Sequence, residues 1–163
     1  MRTEKRRKRK GKTDYSARIG LLKSGKPRIV FRKTNRYIIG QYVKSKEARD
    51  FVEVGANSKE LLEFGWLKTA LGSLKSLPAA YLTGFLLGRR ISDKKGKVDA
   101  IFDIGLHRNV LKSRIYAFLK GVVDAGVGVA CNEKVFPDES RIAGKHMKKN
   151  IEFNKIKENI EKT

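Results

Sequence analysis

Reactive and metal-binding side chains are scarce in this sequence. Its single cysteine, Cys131, cannot form an internal disulfide, which is typical of a protein kept in a reducing compartment. The only histidines are His107 and His146, so no four-ligand zinc set can be assembled with the usual spacings. We therefore expect Cys131 to be a small core residue, and we expect neither a metal nor any other cofactor.

Long hydrophobic runs are also missing. The most apolar stretch, "LPAAYLTGFLLG" at residues 77–88, ends at Arg89–Arg90 and is shorter than the roughly 20 residues that span a bilayer. The N-terminal "MRTEKRRKRKGK" leads into no apolar segment of the kind found in secretory signals. Because this basic segment has no apolar face, it is also unlike a membrane-surface helix. The sequence predicts a cytoplasmic protein that does not bind membranes.

Acidic residues are few. The 163 residues include 38 Lys and Arg but only 17 Asp and Glu, which gives a formal net charge of +21. Residues 1–36 hold 15 of the basic residues and only two acids, Glu4 and Asp14. A compact body with this charge repels itself unless a polyanion neutralises it. The composition therefore indicates a nucleic-acid partner, contacted mainly through the N-terminal fifth of the chain.

The first half of the chain predicts an arm, a helix and three antiparallel strands. Residues 1–12 are too charged to bury apolar surface, so we expect a basic arm that is disordered alone. Thr13 or Asp14 can cap a helix that Ile19, Leu21 and Leu22 would tie to the core. Strands follow at 28–33, 36–43 and 50–57, with a tight turn at 34–35, which gives a meander.

The second half predicts a β-α-β unit. After a short helix capped by Ser58, Pro78 occupies the first position of a buried helix over 79–91. Residues 98–105 form a near-continuous apolar strand, typical of a central strand buried on both faces. A helix over 113–125 and a short parallel strand at 127–130 complete the unit.

The predicted fold class is therefore α/β, a mixed sheet in which an antiparallel meander precedes a β-α-β unit, with helices packed on it. Residues 137–163 predict a helical C-terminal extension, with a short helix at 139–144 and a longer one beyond. Its apolar stripe is irregular, so we expect it to dock on a partner rather than on its own core. The predicted division is an arm at 1–12, a globular domain at 13–136 and this extension.

Two patterns that would indicate an enzyme fail on inspection. The stretch "GLLKSGKP" resembles a phosphate loop, but Pro27 replaces the magnesium-binding hydroxyl and the element order is helix then strand. Asp99 and Asp103 share a strand face but lie about 13 Å apart, which is too far for one magnesium ion. Lys23 and Lys26 of the first pattern are better suited to a nucleic-acid backbone.

Two basic segments predict phosphate contacts. The polar positions of the hairpin "KPRIVFRKTNRY" are almost all positive, and Tyr15 and Tyr37 lie among such cations, an arrangement suited to stacking on unpaired bases. Tyr42 fits the core better. The loop "DIGLHRNVLKSR" leads from a strand into a helix N-terminus, where free N–H groups favour phosphate. The alternative is that Arg108 and Arg114 pair with Asp103.

Five long blocks resemble one family. They are "GKTDYSARIGLLKSGKPRIVFRKTNRYI", "NSKELLEFGW", "LPAAYLTGFLLGRR", "DIGLHRNVLKSRIYAFLKGVVDAG" and "PDESRIAGKHM". In this order they resemble the archaeal type of the large-subunit ribosomal protein L-eighteen, which binds 5S ribosomal RNA. The resemblance runs from about Arg6 to Met147. The tail from Lys148 onward and the segment "LKTALGSLKS" lie outside it.

The resemblance implies a structural protein without catalytic residues. It implies that the protein binds 5S rRNA, helps join it to the large-subunit rRNA in the central protuberance, and has protein L-five and other central-protuberance proteins as neighbours. It places the RNA contacts on the arm, the first hairpin and the loop before the second conserved helix. Composition alone leaves a general RNA chaperone and a nucleic-acid enzyme as alternatives.

Residue types and resemblance together give one set of candidate RNA-binding residues, most of them basic. They are Arg6, Arg7, Lys8, Arg9, Lys10, Lys12, Tyr15, Arg18, Lys23, Lys26, Arg28, Arg32, Lys33, Asn35, Arg36, Tyr37, His107, Arg108, Lys112 and Arg114.

Overall fold

The computed structural model describes residues 3–47, 49–147 and 152–162. The helices are α1 (Arg6–Arg9), α2 (Tyr15–Lys23), α3 (Leu77–Lys95), α4 (Arg114–Asp124), α5 (Glu139–Ile142) and α6 (Phe153–Glu161). The strands are β1 (Arg28–Lys33), β2 (Ile38–Lys46), β3 (Arg49–Asn57), β4 (Asp99–Asp103) and β5 (Gly128–Val129). Short 3-10 turns lie at Ser58–Leu62, Lys68–Ser73 and Glu133–Val135.

The strands form one mixed sheet with the order β3-β2-β1-β4-β5. Strands β1, β2 and β3 pair antiparallel as a meander, while β4 is parallel to β1 and to β5. The meander and the β-α-β unit are confirmed, and so is the α/β class. Because β1 pairs with β4, the second half of the chain joins the sheet next to the basic hairpin.

Helix α3 is the centre of the core. Ser76 caps it, and residues 77–88 are buried along their whole length. Helix α3 packs closely on α4 at Gly84, because a Cβ at this position would overlap the Phe118 carbonyl group. The helix begins two residues earlier and ends four residues later than predicted, so Pro78 is its second residue.

Several boundaries differ from the prediction for local reasons. The hairpin turn has four residues, 34–37, because Thr34 and Tyr37 hydrogen-bond each other across it. The turn after β3 is capped by Asn57 rather than Ser58, since Glu60 completes a capping box with Asn57. The central strand is β1, where residues 28–31 are all buried, whereas β4 is only partly buried.

Two burial predictions are wrong. Cys131 is exposed rather than in the core. Asp14 caps α2 as predicted, but this helix has no buried residue and Ile19 is 52% exposed. The arm is described from residue 3 onward with one helical turn, α1, and every described arm residue is exposed, as expected for a segment that buries no apolar surface. That the arm is disordered alone stays a prediction.

The C-terminal extension packs on its own core, which contradicts the expectation of partner docking. Ile156 and Ile160 of α6 are each 1% exposed. Lys157 lies over the rings of Tyr81 and Phe85 of α3, and Phe153 contacts Tyr81. The irregular stripe hid this because Met147 and the α6 isoleucines belong to separate segments, and Ile151 lies outside the described residues.

We expect Ile160→Ala to destabilise the free protein by about 2–5 kcal/mol, because it leaves a cavity between α6 and α3. Chemical denaturation measures this directly. Glu158→Ala, at an exposed position of the same helix, is the control and should change stability by less than about 0.5 kcal/mol. If Ile160→Ala has as little effect as the control, the helix does not stabilise the isolated chain.

Candidate nucleic-acid interface

A cleft of about 700 Å³ lies beside β1 and the end of its parallel neighbour β4. Residues of the arm and α2 form one side of this cleft. Residues 102–107, at the end of β4 and in the loop that follows it, form the other side. We call it the arm cleft. It is lined by Arg7, Lys12, Thr13, Asp14, Ala17, Arg18, Gly20, Leu21, Arg28, Arg32, Phe102, Asp103, Ile104, Gly105, Leu106 and His107.

Five side chains of alternating charge run beside this cleft. Arg18 on α2 pairs with Asp50 at 2.7 Å, and Asp50 pairs with Arg28 at 2.7 Å. Arg28 pairs in turn with Asp103 at 2.9 Å, and Asp103 lies 3.4 Å from Arg32. We call this the arginine–aspartate chain. It ties α2, β1, β3 and β4 together, and it ends at two arginines that line the cleft.

Arg28 is the buried centre of this chain, with 3% of its surface exposed. Its guanidinium donates to Asp103, Asp50 and Ser45. The expectation that Arg28 contacts RNA is therefore not supported, because its charge is already used inside the fold. The predicted RNA contact of Arg28 required one face of β1 to be exposed, but β1 is buried on both faces. The sequence near Arg28 also contains no pattern that reveals a distant carboxylate partner.

Sequence reasoning missed Asp50 and assigned the wrong arginine partners to Asp103. Asp103 pairs with arginines, as one alternative proposed, but with Arg28 and Arg32 rather than Arg108 and Arg114. Burial raises the pKa of Asp50, but hydrogen bonds from Ser45 and Arg28 and then from Arg18 outweigh it, so the pKa lies below its ordinary value. Asp50 therefore stabilises the fold above pH ~4, and this contribution is lost as the pH falls through the lowered pKa.

Arg32 is held in place while its side chain stays 42% exposed. Its guanidinium donates to the carbonyl oxygens of Phe31 at 2.6 Å and Asp103 at 3.2 Å. Gly105 has a φ of +62°, and a Cβ there would lie 2.9 Å from the Arg32 guanidinium. The glycine thus lets the loop pass close behind Arg32, which leaves that cation available to a ligand on its other side.

His107 joins the loop after β4 to the basic hairpin. Its Nε2 accepts a hydrogen bond from the Lys33 backbone N–H at 3.2 Å, and its ring meets Phe31 edge-on at 5.7 Å. Burial lowers the pKa of His107, and the positive charges of Arg32 and Lys33 lower it further. The imidazole is therefore held neutral, as an acceptor at Nε2 requires.

The free energy of unfolding should fall as the pH drops below about 6.5, the ordinary pKa of histidine. The unfolded chain binds the His107 proton more readily than the folded chain does, so acid favours unfolding in this window. His107→Gln should flatten this part of the pH profile, as measured by denaturation between pH 5 and 7. A profile unchanged in the variant would contradict the assignment, and His146→Gln is the control.

The remaining predicted residues differ in their surroundings. Lys5 covers one face of the Tyr15 ring at 4.6 Å, Tyr37 packs partly against the core, and Tyr42 is buried as expected. Lys112 pairs with Asp138, and Arg114 donates to the Lys75 carbonyl oxygen. The exposed ones are Arg6, Arg7, Lys8, Arg9, Lys10, Lys12, Lys23, Lys26, Lys33, Asn35, Arg36, Arg108 and Lys112.

The three predicted basic segments therefore meet around one region. The arm and α2 form one side of the arm cleft, and the hairpin is linked to the loop on its other side through Lys33 and His107. Within the described residues, no group of three or more His, Cys, Asp or Glu side chains is placed to hold a metal ion. None of the described helices is long and apolar enough to cross a membrane.

Comparisons with known proteins show the family of the chain. A family model described as "Ribosomal large subunit proteins 60S L5, and 50S L18" matches residues 1–100. A "Large ribosomal subunit protein uL18" from Korarchaeum cryptofilum is 51% identical over 142 residues, which are 87% of this chain and 70% of the relative. Proteins of the same name from Methanospirillum hungatei and Methanothermobacter thermautotrophicus are 47% and 45% identical to this chain. Both alignments span 87% of this chain, and they span 78% and 71% of the length of the two relatives, respectively.

Proposed function

Because this chain belongs to the family of ribosomal large-subunit proteins L5 and L18, we propose that it binds 5S rRNA and helps attach it to the large-subunit rRNA in the central protuberance. Membership makes it a component of the large ribosomal subunit, with ribosomal RNA as its partner. The finer assignment to 5S rRNA rests on the resemblance of its sequence blocks and on the surface described above.

The observation that carries the proposal is the convergence of the arm, the hairpin and the loop after β4 around the arm cleft. A continuous basic surface can follow a phosphate backbone over several nucleotides, and each neutralised phosphate releases counterions. Since side chains cannot read the deep major groove of an RNA helix, we expect selectivity to come from RNA shape and unpaired bases.

The proposed contacts are the candidate residues without Arg28. In this assignment residues 1–12 form the RNA-binding arm, and residues 13–136 form the domain that presents the hairpin and the loop. Residues 137–163 form the extension, whose helix α6 covers α3. Protein L-five and other central-protuberance proteins are the proposed protein neighbours.

We propose no catalytic step for this surface. The two carboxylates of the arginine–aspartate chain, Asp50 and Asp103, are each paired with two arginines. A third carboxylate at the cleft, Asp14, accepts from the backbone N–H groups of Ser16 and Ala17 as the cap of α2. Carboxylates held in this way position cations and helices, and the surface is suited to binding.

The test is a binding titration with labelled 5S rRNA against excess transfer RNA at about 100 and 300 mM salt. We expect 5S rRNA to keep its preference at both salt concentrations, because shape recognition survives when nonspecific attraction is screened. Equal competition by transfer RNA at every salt concentration would instead indicate a general RNA-binding or chaperone protein.

A further inference from the structure

The arm cleft has an interior that the binding of phosphates alone does not explain. Phe102, Ile104 and Leu106 line one side of it, and Leu106 is 55% exposed. Leu21 and Ala17 of α2 line the other side. An RNA backbone offers only charged oxygens and sugars, whereas the face of an unpaired base is flat and apolar. The interior therefore suits a base, and the surrounding cations suit its phosphates.

The walls of the cleft are fixed before any ligand arrives. Phe102 contacts the rings of Phe31 and Phe118, with centroid distances of 6.5 and 6.2 Å. Arg18 and Arg32 are held by the arginine–aspartate chain. A preorganised site loses less conformational entropy on binding a ligand than a mobile site does. The β4 side of the cleft and the two arginines are thus in place before a ligand binds.

The size of the cleft limits what can enter. Its volume of about 700 Å³ lies within the range of roughly 300–1,000 Å³ that is usual for small-ligand pockets. A paired base inside a helix cannot present its face to such a pocket.

We propose that the arm cleft holds one unpaired nucleotide of the bound RNA, with its base against Phe102 and Leu106 and its phosphate near Arg7 and Lys12. This inference rests on the proposed function, because the nucleotide belongs to the RNA that the basic surface binds. It adds that the protein selects for a base turned out of the helix at one position. The arm lies beside that nucleotide, on the α2 side of the cleft.

The experiment fills the cleft without removing a charge. Ala17→Leu and Gly20→Leu each add a side chain inside the cleft, and a Cβ at Gly20 meets nothing within 4 Å. Ser16→Leu is the matched control, because it adds the same side chain to α2 at an exposed position that does not line the cleft. Thermal unfolding checks that all three variants fold.

Binding and chemical probing of 5S rRNA are measured for each variant. We expect about tenfold weaker binding for the cleft variants, the order of one lost base contact. We also expect one unpaired nucleotide to be protected by the parent protein and by Ser16→Leu, and to become reactive again with the cleft variants. Backbone protections elsewhere should persist in all complexes.

Three outcomes would overturn the inference. If the cleft variants protect the same nucleotides as the parent with equal affinity, the cleft holds no base, although the proposed function stands. If adenosine monophosphate alone binds the parent protein at micromolar concentration and Ala17→Leu abolishes this, the cleft is a site for a free nucleotide. If the parent does not prefer 5S rRNA over transfer RNA, the proposed function fails first, and the inference falls with it.

Discussion

Removal of residues 1–12 should weaken binding to 5S rRNA by about 100-fold or more at 100 mM salt. The segment holds eight Lys and Arg residues and one acid, Glu4, and every one of its described residues is exposed. Each phosphate contact contributes about 0.7–0.9 to the slope of log affinity against log salt. If half of the arm cations contact phosphates, the slope should become shallower by about 3. The measurement is a set of binding titrations between 50 and 300 mM salt.

A variant whose arm has the same composition in scrambled order separates the effect of charge on binding from the effect of residue order. It keeps all eight cations, so the salt slope should be largely restored, while any contact that depends on the order of residues is lost. Stability should be nearly unchanged in both arm variants, because none of the described arm side chains is buried. If truncation leaves the affinity and the slope as they were, the arm does not bind the RNA backbone.

Arg28→Met should lower the free energy of unfolding by about 3–5 kcal/mol, the usual cost of removing one partner from a buried ion pair. The side chains of Arg28 and Asp103 are 3% and 8% exposed, so the carboxylate of Asp103 would lose its best partner in a poorly solvated place. At about 2–4 °C per kcal/mol, the melting temperature should fall by roughly 6–20 °C. Thermal and chemical unfolding both measure this change.

Arg36→Gln is the matched control, because Arg36 belongs to the same hairpin but is exposed at its turn. It should leave stability within about 0.5 kcal/mol and make the salt slope for 5S rRNA shallower by about 0.7–0.9. Arg28→Met at a temperature where it is folded should keep the slope, since Arg28 meets no phosphate in our assignment. A shallower slope with unchanged stability for Arg28→Met would show that Arg28 contacts RNA after all.

The order and type of the main elements followed from local patterns. Alternating residues and turn signals predicted β1 to β3, and the helix predicted over 113–125 corresponds to α4. The predicted helix and turn boundaries were wrong where the capping residue depends on local geometry, as at Asn57 and Ser76. The predicted burial of Ile19 and Cys131 was wrong. An apolar side chain identifies a candidate for the core, but it does not identify the element that would cover it.

The amino-acid sequence by itself determined the basic character of the protein, its α/β class, its family and the three segments proposed to meet RNA. These depend on composition and on neighbours along the chain. Only the tertiary structure decided that Arg28 is buried between Asp50 and Asp103, that α6 covers α3, and that the arm and the β4 loop enclose a cleft. Arg28 and Asp103 are 75 residues apart, and their contact exists only because β1 and β4 lie side by side in the sheet. A pairing of this kind leaves no periodic trace in the sequence, since it depends on the free energy of the whole packed sheet.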